Sequence, residues 1–318
     1  MTAQALASVS ESERQHALDQ LRLVGSLPEH SYEDIVHIAA ALCDTPIALI
    51  SLLDREQQWF KAKIGLDAAH TERNMAVCDH AIRRPQELME VGDLDLDSRF
   101  VDNPVLKEVG ARFYAGMPLV TRDGAAIGTV CVLDHQPRQL NEFQRQGLEA
   151  LGRVTMTLIE ARSKARTQEV GAILDLAVPA ATPTASATPA ATSPALVPYA
   201  VVIWELQDLA GTARRLGDRA MEKELARLDE ELEACLEANR GDSANRVTGT
   251  AEFVVVLNGS TPHQALDRLE KLALVTGQRL GVQILMGVAT TTGEDPAGEV
   301  FMRADQALSA QKDARLVA

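Results

Sequence analysis

Cysteine and histidine side chains are the first to consider for chemistry, because thiolates and imidazoles act as nucleophiles, bases and metal ligands. Cys78 and His80 are separated by one residue, and no second pair of such ligands lies near them in the sequence. Zinc sites usually contain ligands paired as C-x-x-C, so we predict no metal site here. Nucleophilic catalysis by Cys78 would need a base and an orienting group, which the sequence does not place. We therefore predict buried, reduced thiols at Cys43, Cys78, Cys131 and Cys235.

A second segment of interest is a short turn followed by an apolar run. Residues 249–253 read GTAEF, and residues 253–257 are all apolar. Asn258-Gly259, which follows, is a turn pair. This pattern predicts a hairpin with a buried second strand that carries one carboxylate, Glu252.

Composition limits the class of protein and its partners. The 318 residues are 46% hydrophobic and 24% charged, as in globular proteins, and the length allows two domains. The net charge of −14 argues against a nucleic-acid partner, because the phosphate backbone would be repelled. No apolar run is long enough to cross a membrane, and the N-terminus lacks the pattern of a signal peptide. We therefore expect a cytoplasmic location without membrane insertion.

One low-complexity segment divides the chain. Residues 179–198 are almost entirely Ala, Pro, Thr and Ser. This composition cannot bury enough apolar surface to offset the entropy of ordering, so we predict a flexible linker at residues 177–197. The predicted layout is an N-terminal tail at 1–11, one domain at 12–176 and another at 198–318. Such a linker can tether two modules but cannot transmit a rotation between them.

Hydrophobic periodicity predicts mixed α+β structure in both domains. In the first domain, we predict helices at 11–24, 32–43 and 141–176 and antiparallel strands at 47–53, 57–62, 87–91, 113–120 and 126–133. In the second domain, we predict strands at 199–204 and 281–289, a hairpin at 246–257, and helices at 219–238, 262–276 and 300–312. The second arrangement is typical of a ferredoxin-like α/β sandwich.

Residues 12–162 resemble a GAF domain, in the form found ahead of bacterial signalling domains. The resemblance is carried by ordered blocks: WFKA at 59–62, CDHAI at 78–82, DSRFVDNP at 97–104, FYAGMPL at 113–119 and GTVCVLD at 128–134. It implies an antiparallel sheet flanked by helices and a capacity to bind a small ligand or to dimerise. GAF ligands vary widely, so the resemblance does not name one.

Two interpretations of the chemistry-bearing residues in this domain stay open. The first is a sensory pocket lined by Trp59, Phe60, Cys78, His80, Phe113 and Tyr114. The second is that these side chains form ordinary core and hairpin packing, with His80 making one internal hydrogen bond. The apolar spacing within 141–176 is compatible with a parallel GAF dimer and equally with core packing.

Residues 197–317 resemble the GGDEF domain of diguanylate cyclases. RADQALSAQK at 303–312 parallels the family's ADxALYxAK, MGVA at 286–289 lies where the family has SIGVA, and GTAEF replaces GGDEF. The family makes cyclic di-GMP from two GTP molecules with Mg²⁺ held by carboxylates. The resemblance therefore implies a ferredoxin-like fold and directs attention to the positions where the cyclase has its active site.

Most of the active-site roles implied by this resemblance are altered. Ala251 replaces a metal carboxylate, Thr250 replaces a glycine that admits the phosphates, and Ala213 replaces an asparagine that binds guanine. Glu205 takes the place of the first metal aspartate. The active-site positions of this degenerate domain are Glu205, Ala213, Glu222, Gly249, Thr250, Ala251, Glu252 and Lys312. Of these, Glu252 and Lys312 survive as in the family, but neither can hold the metal alone.

An allosteric product site is a further implication of the resemblance. In the family, an R-x-x-D motif five residues before the hairpin binds cyclic di-GMP through arginine–phosphate contacts. Here the frame reads RGDS at 240–243, with the acid shifted by one. Arg240, Asp242 and Arg246 are therefore candidate ligands for the dinucleotide. The alternative is an ordinary polar turn at the end of a helix.

Together these features predict a non-catalytic bacterial signalling protein. In this interpretation, a GAF sensor or dimerisation module is tethered to an inactive cyclase-like domain that binds a protein partner. The alternatives are a cyclic di-GMP effector that binds through Arg240 and a weakly active diguanylate cyclase. We expect no metal and no cofactor, with cyclic di-GMP or an unidentified small GAF ligand as candidates. The acidic surface favours a protein partner with a basic patch, and a homodimer formed through the GAF domain stays open as an alternative to core packing of the 141–176 helix.

Overall fold

The computed structural model of the protein describes residues 9–178, 198–237, 240–258, 263–292 and 295–314. The chain divides into two compact units, Met1–Ser163 and Lys164–Ala318. Residues 179–197 of the predicted linker and residues 1–8 of the predicted tail lie outside the described residues.

The first unit contains an antiparallel sheet whose described strands have the order β3-β2-β1-β6-β5-β4. The strands are β1 (Ile47–Leu53), β2 (Gln57–Ile64), β3 (His70–Glu72), β4 (Met89–Val91), β5 (Phe113–Val120) and β6 (Ala126–Asp134). The helices are α1 (Glu11–Leu21), α2 (His30–Cys43), α3 (Val77–Ala81), α4 (Pro104–Val109) and the first part of α5 (Glu142–Ala177). Strand β1 is buried along its whole length because it lies between β2 and β6, as its apolar run predicts.

Local sequence signals explain where several of these elements begin and end. Ser10 and Glu13 form a reciprocal capping box at the start of α1, and the helix stops at Arg22, which is left-handed with φ 50°. Asn103 caps α4 by accepting hydrogen bonds from two backbone N–H groups. In the centre of the sheet, Gly128 lies against the Ser51 carbonyl, where a Cβ atom would overlap it.

The second unit contains an antiparallel sheet of order β10-β7-β9-β8. The strands are β7 (Tyr199–Leu206), β8 (Ser243–Arg246), β9 (Glu252–Asn258) and β10 (Ile284–Thr291), and the helices are α6 (Leu209–Leu216), α7 (Asp218–Ala234), α8 (His263–Leu280) and α9 (Ala297–Ala314). This order and the helix-containing connections before β8 and β10 have the ferredoxin-like arrangement. The predicted α+β class of both units is confirmed.

The last part of α5 belongs to the second unit because it contributes to that unit's core. Val170 and Leu174 are 4% and 3% exposed and pack with Val201 and Ile203 of β7 and with α9. The border between the units therefore falls at 163/164, whereas the sequence places the end of the first domain at 176. The apolar residues of a helix do not by themselves indicate which core they enter.

Several element boundaries differ from the sequence prediction for local reasons. The helix predicted at 219–238 is preceded by an additional helix, α6, and Gly217 at φ 86° separates α6 from α7. The predicted hairpin at 246–257 has its first strand earlier, at β8, with residues 247–251 forming the turn. Helix α8 extends to Leu280, where Gly281 at φ 65° follows.

Candidate functional site

A cavity of about 700 Å³ lies against the sheet of the first unit. Apolar side chains from several elements contribute to its wall, including Leu49 of β1, Phe60 of β2 and Leu106 of α4. Cys78 of α3 and Tyr114 of β5 also line it. A cavity of this size can hold a small organic ligand.

The charge of the cavity wall limits the class of ligand that it favours. Its acidic side chains are Asp67, Glu72 and Glu108, and none of the described residues that line it is lysine or arginine. The wall also contains His70, but an anionic ligand such as a phosphate ester would meet no lysine or arginine among these lining residues. The wall favours an uncharged or cationic molecule.

Hydrogen-bonding side chains converge on the Cys78 sulfur atom. The Gln58 amide donates to Cys78 Sγ at 3.0 Å, and the Thr129 hydroxyl donates at 3.2 Å. The Tyr114 hydroxyl donates at 3.4 Å, and Cys131 Sγ lies 3.8 Å away. Cys78 is 2% exposed, so these groups replace the water that would otherwise solvate its sulfur.

The sheet register brings this cluster together. Ser51 of β1 and Thr129 of β6 are cross-strand partners, and their hydroxyl oxygens are 3.1 Å apart. Thr129 and Cys131 are two residues apart on β6, so they point to the same face. Gly116 of β5 leaves room for the Tyr114 hydroxyl, which a Cβ atom at this position would overlap.

This environment separates the acidities of the two neighbouring thiols. Burial alone would raise the pKa of Cys78, but hydrogen bonds from Cys131, Ser51, Thr129 and Tyr114 favour the thiolate and lower the pKa to about 6. The hydrogen bond to Cys78, together with burial, raises the pKa of Cys131 well above its ordinary value. The environment therefore favours the thiolate form on Cys78 and the thiol form on Cys131.

The second unit places two glutamates directly opposite each other across its sheet. Glu205 near the end of β7 and Glu252 at the start of β9 are cross-strand partners, 7% and 0% exposed. Lys312 Nζ of α9 lies 2.7 Å from a Glu205 oxygen. Arg166 of α5 donates two hydrogen bonds to the Glu252 carboxylate, at 2.6 and 2.7 Å. The two cations offset the repulsion expected between adjacent buried carboxylates.

The turn between β8 and β9 is closed by its own side chains. The Thr250 hydroxyl donates to the Val247 carbonyl at 2.9 Å and accepts from the Glu252 N–H at 3.2 Å. Thr248 donates from its backbone and its hydroxyl to the Glu169 carboxylate of α5. The Ala251 carbonyl accepts from the Leu206 N–H at 2.9 Å. Thr250 therefore stabilises the turn.

Comparison with known protein families identifies the domain that contains the cavity and the Cys78 cluster. A sequence model described as the GAF domain matches residues 28–161. Residues 28–161 form a GAF domain. The resemblance drawn from the sequence blocks of the first unit is thereby confirmed.

Individual relatives cover the chain only in part. A cyclic di-GMP phosphodiesterase of Pseudomonas aeruginosa is 43% identical over 151 residues, which are 47% of this chain and 26% of that protein. The chain thus spans about a quarter of the length of this curated relative.

The similar solved structures superpose on this chain with low TM-scores. A free methionine-R-sulfoxide reductase from Neisseria meningitidis is 17% identical with a TM-score of 0.37, covering 52% of this chain and 99% of that one. A microbial GGDEF domain studied with cyclic di-GMP is 23% identical with a TM-score of 0.34, covering 37% of this chain and 74% of that one. Such TM-scores support no conclusion about function.

Half of the predicted pocket residues line the cavity of the GAF domain. Phe60, Cys78 and Tyr114 line it, whereas Trp59, His80 and Phe113 do not. Trp59 and Phe113 each precede a lining residue on a strand, so their side chains point to the opposite face of the sheet. His80 packs edge-on against Phe100 at 4.9 Å between ring centres, and burial lowers its pKa.

The candidate cyclic di-GMP residues have different environments. Asp242 accepts hydrogen bonds from the backbone N–H groups of Glu237 and Asn258, at 3.0 and 2.8 Å, and so braces the turn. Arg240 pairs with Glu237 at 2.8 Å, and Arg246 lies 3.7 Å from Asp229. Both arginine side chains remain well exposed.

The remaining positions selected by the cyclase resemblance lie on helices or in the turn. Ala213 is buried in α6, Glu222 is exposed on α7, and Gly249 adopts φ 70° in the hairpin turn. Among the described residues, no group of three or more His, Cys, Asp or Glu side chains is placed to hold a metal ion. None of the described helices combines the length and apolar character needed to cross a membrane.

Two of these contacts have little or no signal in the sequence. Arg166 lies 86 positions from Glu252 in a basic stretch that resembles a solvated helix face, so nothing in the sequence indicates their pairing. Thr129 and Cys131 carry a weak signal, because alternate polar residues within an apolar strand must share one buried face. That pattern becomes informative only after Cys78 is placed above it.

Proposed function

We propose that this chain is a non-catalytic signalling protein in which the GAF domain senses a small molecule and the second unit is an inactive relative of diguanylate cyclases. The second unit acts by binding a protein partner. Cyclic di-GMP signalling is the proposed context, since the 43% identical relative is a cyclic di-GMP phosphodiesterase and the GTAEF hairpin resembles the cyclase motif.

The observation that carries this proposal is the pairing of Glu205 and Glu252 with the protein's own cations. A cyclase needs carboxylate oxygens available for Mg²⁺, which neutralises the triphosphate and activates a hydroxyl. Here Lys312 and Arg166 supply positive charge to these carboxylates. Glu252 is fully buried in a two-bond contact, so it is not presented to a metal.

The hairpin supports the same conclusion from the substrate side. Ala251 has no ligand atom in its side chain, and the Thr250 side chain occupies the turn where the family has bare backbone. Ala213 offers no hydrogen bond to a guanine, which would cost about 1–3 kcal/mol of recognition. Metal, phosphate and base contacts are therefore all weakened.

GTP turnover tests the proposal. The full chain is incubated with GTP and Mg²⁺, and cyclic di-GMP is measured by liquid chromatography. We expect no product above a blank without protein. Mg²⁺-dependent product that is lost in Glu205→Gln and kept in Glu230→Gln, an exposed α7 control, would overturn the proposal.

A second candidate function is binding of cyclic di-GMP, which is favoured by the exposure of the Arg240 and Arg246 guanidinium groups. Calorimetric titration with cyclic di-GMP distinguishes it from the first. Binding that Arg240→Ala weakens at least tenfold, while Arg219→Ala on α7 leaves it unchanged, would make the chain an effector. Absence of heat at millimolar ligand would reject that function.

The proposed partner is a protein with a basic surface, because the chain carries a net charge of −14. Pairing of two GAF domains through α5 is a further part of the proposal. Light scattering at increasing concentration measures this pairing, and a monomer at all concentrations would remove it.

A further inference from the structure

We propose that Cys78 is a site of reversible oxidation by a small hydroperoxide, with Cys131 as the resolving thiol, inside the cavity of the GAF domain. The two sulfur atoms are 3.8 Å apart, and Cys78 lines a cavity of about 700 Å³. The nucleophile, its neighbouring thiol and a route for the reagent therefore occur together.

The surroundings of Cys78 stabilise its thiolate form. Gln58, Thr129 and Tyr114 each direct a hydrogen-bond donor at Cys78 Sγ, at 3.0, 3.2 and 3.4 Å. Hydrogen bonds to an ionised acceptor favour the charged form, which is the nucleophilic form of cysteine. The lowered pKa of Cys78 agrees with this geometry.

The charge of the cavity wall limits which oxidant can reach Cys78. The wall is largely apolar, and its charged side chains Asp67, Glu72 and Glu108 are acidic. An uncharged hydroperoxide can enter such a cavity, whereas an anionic oxidant is repelled by the carboxylates. The Tyr114 hydroxyl is close enough to the sulfur to donate a proton to the oxygen that leaves.

The chemistry balances in two steps. The Cys78 thiolate attacks the nearer peroxide oxygen, the O–O bond breaks, and the leaving alkoxide takes a proton to give ROH and a Cys78 sulfenic acid. The Cys131 sulfur then attacks the sulfenic sulfur, and its proton leaves with the hydroxyl as water. Overall, ROOH and two thiols give ROH, water and a disulfide.

Formation of the Cys78–Cys131 disulfide requires the two sulfur atoms to move closer together. A disulfide bond is about 2.0 Å long, so the two sulfur atoms must approach by roughly 1.8 Å. Cys131 is on a central strand between β1 and β5, whereas Cys78 is on the five-residue helix α3. We expect α3 to move, and because α3 lines the cavity, oxidation changes the shape of the GAF domain at its ligand site.

This proposal supplies a stimulus for the sensory role and therefore rests on it. The oxidation assay measures thiol chemistry, whereas the first test measures GTP turnover. Failure of either can consequently be distinguished from failure of the other.

The experiment treats the reduced full chain with hydrogen peroxide or cumene hydroperoxide and follows each cysteine by alkylation and mass spectrometry. Cys43 and Cys235 are internal controls, since burial raises the pKa of each thiol. We expect Cys78 to be oxidised at least tenfold faster than either control and to appear in a disulfide with Cys131. Oxidation of Cys78 no faster than Cys43 would overturn the proposal.

Two variants test the roles of the neighbouring groups. Cys131→Ser is expected to stop at the sulfenic acid, which dimedone traps on Cys78. Tyr114→Phe removes one hydroxyl and should slow oxidation of Cys78 several-fold, whereas Tyr199→Phe in the second unit should not. Trapping on another cysteine, or equal rates in the two tyrosine variants with circular dichroism unchanged, would contradict the assigned roles.

Discussion

Both units bury polar side chains against an antiparallel sheet, but the two clusters are completed in different ways. In the GAF domain, neutral donors surround the Cys78 sulfur beside an open cavity. In the second unit, Glu205 and Glu252 are completed by Lys312 and Arg166 of the same chain. The first cluster can therefore still receive a reagent, whereas the second is already occupied by protein charges.

The difference also concerns stability. Two carboxylates at directly opposed sheet positions destabilise a fold unless a cation lies near them. Here the nearby cations are Arg166 and Lys312, which are part of the fold. The charge pairing of the second cluster therefore favours a stabilising role in the ferredoxin-like unit, whereas the cluster at Cys78 is the site proposed for oxidation.

The largest effect is expected on breaking the Arg166–Glu252 pair. Arg166→Met keeps the aliphatic stem but removes the guanidinium that pairs with the buried Glu252 carboxylate, which should lower the free energy of unfolding by about 3–5 kcal/mol. Urea unfolding monitored by Trp204, which is fully buried, in a Trp59→Phe background measures this unit alone. Arg166→Met/Glu252→Leu should recover most of the loss.

The matched control is Arg227→Ala. Arg227 forms a 2.9 Å pair with Glu231 but its side chain is 54% exposed, so its loss should cost at most about 1 kcal/mol. If Arg166→Met cost no more than Arg227→Ala, the second cluster would not stabilise the unit, and the contrast between the clusters would be lost.

The next effect concerns the pH dependence contributed by Cys78. Its folded pKa of about 6 lies below the ordinary value of 9, so its stabilising contribution is full above pH 9 and lost as the pH falls through 6. The free energy of unfolding of the wild type relative to Cys78→Ser should therefore rise between pH 6 and 9 by on the order of 3 kcal/mol.

Thiolate absorbance at 240 nm measures the same titration directly. Thr129→Val should shift the Cys78 titration upward, because one donor to the thiolate is removed. Thr157→Val on the exposed side of α5 is the control, since its hydroxyl bonds only within the helix. An unchanged Cys78 titration in Thr129→Val would show that the neutral donors do not determine its acidity.

The sequence predicts most of the framework of these clusters but not their partners. Continuous apolar runs predict β1 and β9, and the alternation of elements predicts both α+β units. Trp59 and Phe60 show what is missing: both suit a pocket, and only the register of β2 decides that Phe60 faces the cavity. A single sequence does not reveal which face of a strand is covered by α3 and α4.

Arg166 shows a second limit. Its predicted domain was the first, because the helix continues to residue 177 and the low-complexity segment follows it. Its observed partner is in the second unit's sheet, where Val170 and Leu174 also pack. Long-range pairing depends on the positions of both elements in three dimensions, and helical periodicity contains no information on that.

The smallest effect is expected on substitution of Thr250. This residue stands where the GGDEF motif has its second glycine. Thr250 is 6% exposed, and its hydroxyl bridges Val247 and Glu252 within the turn. Thr250→Val removes only the hydroxyl and should cost about 1–2 kcal/mol in the Trp204-monitored unfolding, whereas Thr250→Ser should keep most of the stability. Glycine at this position, as in the cyclases, would lose the same bridge and add backbone entropy to the unfolded chain. A neutral Thr250→Val would mean that the turn does not need the hydroxyl. A loss that serine restores would mean that the Thr250 hydroxyl stabilises the hairpin, at a position where the cyclase motif that it resembles has glycine.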